Sequence, residues 1–243
     1  MARILVLILL PVLVACEAPR YGYLEFDAIN TSLMRALDDG DLAAADHAVR
    51  AGANLNYQGR EGMTPAIWYL RLNHNVSGPV LGYILQQGGD PNQQSDAGYS
   101  MVYFAAQRAS VELLEVVLDA GGDPNLPNPA NHFDGFPIFN VISSSNADNL
   151  PALLTLIDHD ADLRARSGTR NTPLMTAILL AQYDLALAIL VADPLTRCDV
   201  VVNEIHTVTV DGLIETRFLS AESEQVTFRE RVVELISEVE CQE

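Results

Sequence analysis

Apolar residues return along this chain in short blocks of helical spacing, each closed by the same kind of polar turn, and the blocks recur at a near-constant interval. Five segments align as helix starts: Thr31-Ser32-Leu33, Thr64-Pro65-Ala66, Ser100-Met101-Val102, Phe136-Pro137-Ile138 and Thr172-Pro173-Leu174. Their central positions are 33, 36, 36 and 36 residues apart. Four segments align as helix ends: Ala51-Gly52-Ala53-Asn54-Leu55-Asn56, Gln87-Gly88-Gly89-Asp90-Pro91-Asn92, Ala120-Gly121-Gly122-Asp123-Pro124-Asn125 and His159-Asp160-Ala161-Asp162-Leu163-Arg164. Proline suits the first turn of a helix, where its missing N–H is no loss, and glycine suits the left-handed residue that ends one. Each period therefore predicts two helices and a polar finger. Helix pairs run 20, 23, 20 and 23 residues and fingers 13, 13, 16 and 13. The extra residues fall between paired helices around Asn73–Gly78 and Ser143–Asn149, and in the third finger, Asp123–Phe136.

After Asp193-Pro194 the pattern changes. Val200–Val210 and Leu213–Leu219 are rich in β-branched residues and flank Asp211-Gly212, which predicts a hairpin with a two-residue turn. An apolar stripe of Val226, Val232, Val233, Leu235, Ile236 and Val239 then predicts a helix over about 223–239.

The repeated residues resemble the ankyrin repeat, a β-turn finger plus two antiparallel helices with a Thr-Pro-Leu-His start. The clearest unit is Gly98-Tyr99-Ser100-Met101-Val102-Tyr103-Phe104-Ala105-Ala106, then Val111–Leu118, then Ala120-Gly121-Gly122-Asp123-Pro124-Asn125. The resemblance implies a mainly α solenoid of about five helix pairs over residues 31–193. Residues 194–243, a β-hairpin plus helix, are expected to cap its apolar end; the alternative is a separate binding hairpin. The chain departs from the family at the His slot, which holds Met34, Ile67, Tyr103, Phe139 and Met175. Apolar packing is accordingly expected to hold adjacent repeats in register. In this family fingers and inner helices contact a protein partner. That pattern nominates Tyr57, Gln58, Arg60, Gln93, Ser95, Asp96, Asn128, Asn131, His132, Phe133, Asp134, Arg166, Thr169 and Arg170 on the fingers. Trp68, one residue beyond the His slot, is nominated on the inner face, with core packing as the competing role. Phe133 and Phe136 tip the long third finger or fold back onto the next helix pair.

Charge narrows the partner. The 243 residues hold 32 acidic and 14 basic residues for a net −18, and every basic residue is Arg. Such a chain has no run of cations to neutralise phosphates, so nucleic acid is not an expected partner; a basic protein surface is. The 49% apolar content is enough for a sizeable core. At the N-terminus, Arg3 precedes the apolar run Ile4–Val14, which is too short to span a bilayer. It predicts a signal peptide over residues 1–15. Leu13-Val14-Ala15-Cys16 resembles the bacterial lipobox, which implies lipidation at Cys16, a tether over 16–30, and membrane contact through that anchor alone. Glu17 in place of Asp favours the outer membrane, facing the periplasm. Cys198 and Cys241 remain, and in an oxidising compartment a disulfide between them is expected, with two separate thiols as the alternative.

Candidate chemistry is weak throughout. Asp158-His159-Asp160-Ala161-Asp162 begins like a calcium loop, but Leu163 and Thr169 replace the turn glycine and the bidentate Glu. Gly98-Tyr99-Ser100-Met101-Val102 approaches a nucleophile elbow without its closing glycine. The five histidines are far apart in sequence, and no phosphate-cradling glycine loop is present. The expectation is a non-enzyme without metal or cofactor. Small acidic lipoproteins of this kind resemble immunity proteins that neutralise periplasm-acting effectors of type VI secretion, such as lipases. The alternative is an envelope scaffold or stress-protection factor that binds a resident periplasmic protein.

Overall fold

The computed structural model describes residues 26–72, 76–129, 135–144, 149–202, 207–216, 225–239 and 241. The chain is mainly helical, and ten of its helices run as consecutive pairs. These are α1 (Ala28–Asp39) with α2 (Leu42–Arg50), α3 (Pro65–Leu72) with α4 (Gly78–Gln86), and α5 (Met101–Gln107) with α6 (Val111–Asp119). Two more pairs follow, α7 (Pro137–Ser143) with α8 (Asn149–Asp158) and α9 (Pro173–Leu179) with α10 (Tyr183–Ala192). First helices pack on first helices (α1 on α3, α3 on α5, α5 on α7, α7 on α9), and α4, α6, α8 and α10 stack likewise. The core runs the length of this stack and includes Met34, Ile67, Tyr103, Phe139 and Met175, one residue from each first helix.

Local chemistry sets the helix starts. Thr64, Ser100 and Thr172 are buried, and each hydroxyl accepts the backbone N–H three residues on, from Ile67, Tyr103 and Met175. Phe136 cannot do this, and α7 begins without a side-chain cap while the ring lies half-buried against the core. The first helix departs from the periodic frame. It begins at Ala28, not at Thr31-Ser32-Leu33, because the Asp27 carboxylate accepts the Asn30 N–H at 2.8 Å.

Successive pairs are also joined by a ladder of asparagine side chains, which corrects the expectation that apolar packing alone sets the register. Asn56 Nδ2 donates to Gly88 O (2.8 Å), and its Oδ1 accepts the Asp90 N–H (2.7 Å). Asn92 repeats this with Gly121 O (2.9 Å) and Asp123 N (2.7 Å), and Asn125 with Asp160 O (2.9 Å) and Asp162 N (2.7 Å). Each rung is aimed by an Asx turn: Asn54, Asp90 and Asp123 accept the backbone N–H of Asn56, Asn92 and Asn125. Arg164 takes the fourth rung and reaches Asp193 at 3.3 Å.

The cap also differs from the expected hairpin. Strands β1 (Val200–Val202) and β2 (Thr207–Thr209) pair antiparallel, with Val200 opposite Thr209. Asp211-Gly212 does not form their turn but sits in the first turn of α11 (Val210–Thr216), where the Thr209 hydroxyl accepts the Gly212 N–H. With α12 (Gln225–Glu238), α11 extends the stack: α11 packs on α9 and α12 on α10. The capping chemistry repeats too. Glu112 Oε1 accepts the Gly78 N–H at the start of α4, and Gln225 Oε1 accepts the Tyr183 and Asp184 N–H groups at the start of α10. The cap thus takes the place of a sixth helix pair. A 3₁₀ turn, Pro194–Cys198, precedes it, and Cys198 forms a disulfide with Cys241. Among the described residues, no helix is long and apolar enough to cross a membrane.

The ladder yields a stability prediction. Asn92→Ala removes two bonds between neighbouring pairs and leaves a carbonyl and an N–H without them, which is expected to cost about 1–3 kcal/mol. Thermal denaturation should show a midpoint several degrees lower; an unchanged midpoint would show that the rung contributes nothing.

Candidate partner-binding face

Each finger between helix pairs is closed at its base by a backbone hydrogen bond. Gly59 N–H donates to Met63 O, Ser95 N–H to Tyr99 O, Asn128 N–H to Gly135 O and Ser167 N–H to Asn171 O. Neighbouring fingers touch through the backbone, Asp96 N–H donating to Glu61 O at 2.9 Å. Glycine is required at two of these contacts. A Cβ on Gly62 (φ +67°) would lie 2.7 Å from Asp96 N, and one on Gly98 (φ +76°) would lie 2.6 Å from both Asn128 Oδ1 and Pro129 Cδ. Gln94 Nε2 adds bonds to Gly98 O and Pro127 O. Through these described residues the first three fingers are joined in a continuous ridge.

The nominated contact residues divide by burial. Gln58, Arg60, Asp96, Arg166, Thr169 and Arg170 are exposed, and Tyr57 and Gln93 are half-buried. Three nominated side chains are instead buried, Trp68 in the core-packing role that competed with its nomination. Ser95 is buried because its hydroxyl accepts the Tyr99 N–H and closes its turn. Asn128, only 2% exposed, is packed against Gly98 of the preceding finger. Trp68, 7% exposed, meets Phe26 edge-on with ring centres 5.9 Å apart, and Phe26 also lies 6.0 Å from Tyr57. In the free chain these three side chains are taken up by turn closure, finger stacking and an aromatic contact. Cys16, Asn131, His132, Phe133 and Asp134 lie outside the described residues.

Sequence reasoning passed over a second aromatic group. Tyr99, half-buried, lies 5.2 Å from Tyr103 and 5.1 Å from Phe104 between ring centres. The signal was present in the periodicity, since Phe104 stands 36 residues after Trp68 in the same register. That register continues to Asn140, buried at 8% exposure with Nδ2 lacking a hydrogen-bond partner.

Electrostatics differ along the ridge. Across all four fingers the exposed nominated residues include Arg60 on the ridge and Arg166 and Arg170 on the fourth finger, against the single acid Asp96. The acidic excess lies beside it: Asp90, Asp119, Asp123, Asp158, Asp160 and Asp162 are exposed where the second helices turn into the fingers. The fourth finger is tied down by its own contacts. Arg166 Nη1 donates to Arg170 O, Arg166 Nη2 lies 3.9 Å from Asp199 Oδ1, and Thr169 Oγ1 hydrogen-bonds to Ser167 Oγ and accepts from Asn171 Nδ2. Burial pushes the Asp199 carboxyl above its ordinary range; Arg164 and Arg166 oppose the shift, while Asp193 and Asp162 add to it. The outer surface carries a shallow groove of about 450 Å³ between α4 and α6, lined by Gly82, Leu85, Gln86, Val116, Asp119 and Ala120. Among the described residues, no three His, Cys, Asp or Glu side chains converge as a metal site.

No protein-family model matches the chain, and no curated protein matches it significantly.

Asp199 supplies a pH prediction. Its folded pKa lies above the unfolded value of about 3.8, so the charged carboxylate costs stability at neutral pH. That cost is relieved as pH falls through the folded value and is gone below the unfolded one. Asp199→Asn is expected to raise the thermal midpoint at pH 7, with the difference from the native chain shrinking toward pH 4. A variant less stable at pH 7 would mean that the Arg166 contact outweighs desolvation.

Proposed function

We propose that this chain is a divergent ankyrin-repeat lipoprotein of the bacterial envelope that binds a protein without turnover, and that its partner is a secreted, periplasm-acting effector. It is an immunity protein in this reading. Its mature N-terminus is the lipidated Cys16, it faces the periplasm from the outer membrane, and it needs no cofactor. The observation that carries the reading is the ridge of interlocked fingers, on which Gln58, Arg60 and Asp96 are exposed above a ladder-fixed stack. An inhibitor gains affinity from such preorganisation, because little conformational freedom remains to be lost on binding. Period, finger geometry and the proline that opens α3, α7 and α9 support the ankyrin assignment.

The distribution of charge refines the partner. An acidic flank from Asp90 to Asp162 speeds encounter with a basic effector. The arginines of the tips then meet acceptors or aromatic faces within the contact. A type VI lipase-like toxin is the effector class this reading favours.

The test joins genetics and binding. Deletion should sensitise cells to siblings that deliver the effector, and the purified chain should bind that effector and block it. Gln58→Ala, Arg60→Ala and Asp96→Ala combined should weaken binding by about 2 kcal/mol or more, roughly 30-fold, without lowering the thermal midpoint. Unchanged sibling tolerance, together with capture of a resident envelope protein, would replace the immunity reading with the scaffold one.

A further inference from the structure

The cap holds a cleft of about 250 Å³ lined by Arg197, Asp211, Ile214, Val233, Ile236 and Ser237. Its size points to a small ligand: about 150 Å³ holds benzene, whereas drug-sized ligands occupy about 300–1,000 Å³. Ile214 and Ile236 are buried and Val233 is 41% exposed, so the walls are aliphatic and open on one side. The polar end is a partly buried guanidinium beside a more exposed carboxylate. Arg197 Nη1 donates to Val239 O and Cys241 Sγ, Nη2 lies 3.5 Å from Asp211 Oδ2, and Nε is buried without a hydrogen-bond partner. The Arg197 side chain is 19% exposed and its Nε lies out of a ligand's reach, so the donor edge open to the cleft is the Nη2 side next to Asp211. Asp211, 55% exposed, sets a carboxylate beside it.

We propose that this cleft binds a free aliphatic α-amino acid of about the size of leucine. The ligand carboxylate accepts from Arg197, its ammonium donates to Asp211, and its side chain packs on Ile214, Val233 and Ile236. The adjacent opposite charges select the zwitterion. A simple carboxylate meets repulsion from Asp211, and a simple amine meets it from Arg197. The disulfide belongs to the site, since Arg197 precedes Cys198 in the chain and donates to Cys241. This inference is independent of the finger ridge and of any effector.

Titration calorimetry on the oxidised chain decides it, with L-leucine, 4-methylpentanoate, 3-methylbutylamine and glycine as probes. L-Leucine should bind saturably at one site with Kd of about 1 mM or below. Each single-charge analogue should bind at least about tenfold more weakly, and glycine should give no saturable signal. Val233→Phe fills the cleft from its open wall and should abolish binding while leaving the thermal midpoint in place. Asp211→Asn should bring leucine and 4-methylpentanoate to similar affinity. Three results would each overturn the proposal: no saturable binding of leucine up to about 10 mM, 4-methylpentanoate binding the native chain as tightly as leucine, or undiminished leucine binding by Val233→Phe.

Discussion

Three asparagine side chains, Asn56, Asn92 and Asn125, fix the register on which the rest of the molecule depends. Each spans the gap to the next helix pair, donating to one backbone carbonyl and accepting one backbone N–H. Apolar packing between short helices is permissive about small slides, because burial is non-directional. A two-point hydrogen bond is not. The ladder therefore converts a stack that is merely cohesive into one with a set spacing, and the fingers inherit that spacing. Glu61 O receiving the Asp96 N–H, and Gly98 lying against Asn128, are possible only when successive pairs stand at the same offset.

The ends of the ladder coincide with the ends of the described helix stack. At the first pair, Asn30 Oδ1 accepts the Asn54 N–H, a rung reached from within a helix instead of from a finger. At the fourth, Arg164 replaces asparagine and pairs with Asp193, whose Oδ1 also accepts the Leu195 N–H in the same Asx geometry. From there the cap continues the packing of first on first and second on second helices, with Gln225 capping α10 as Glu112 caps α4. The disulfide fastens the last described residue, Cys241, to the turn that starts this unit.

Much of this was legible in the chain, for physical reasons. Thr64, Ser100 and Thr172 are readable as helix starts because capping is a local interaction, and the positive-φ glycines 52, 88 and 121 as helix ends because local sterics demand them. The final helix was readable from its apolar stripe, observed as Gln225–Glu238 against an expected 223–239. What escaped was decided at a distance or by competition between local signals. The asparagines look like ordinary turn residues until the next pair supplies their partners. Asp211-Gly212 carries a hairpin signature, but the Thr209 hydroxyl captures the Gly212 N–H and starts a helix there. Ser95, Asn128 and Trp68 belong to residue types and positions that families of this shape expose, and here they are consumed by turn closure, finger stacking and an edge-on aromatic contact.

The site was legible as a region more than as a set of residues. Gln58, Arg60, Asp96, Arg166, Thr169 and Arg170 are exposed where the periodic frame put them, whereas Tyr99 and Phe104 emerged only with the fold. The central claim is that this ridge, held at fixed pitch by the asparagine ladder, is the surface that meets a protein partner. Hydrogen exchange of the chain with and without its captured partner tests that claim most directly. Slowed exchange at residues 57–62 and 93–99, with the α4 and α6 outer groove unchanged, is the predicted result. Protection confined to the outer groove or the cap, with the fingers unaffected, would contradict it.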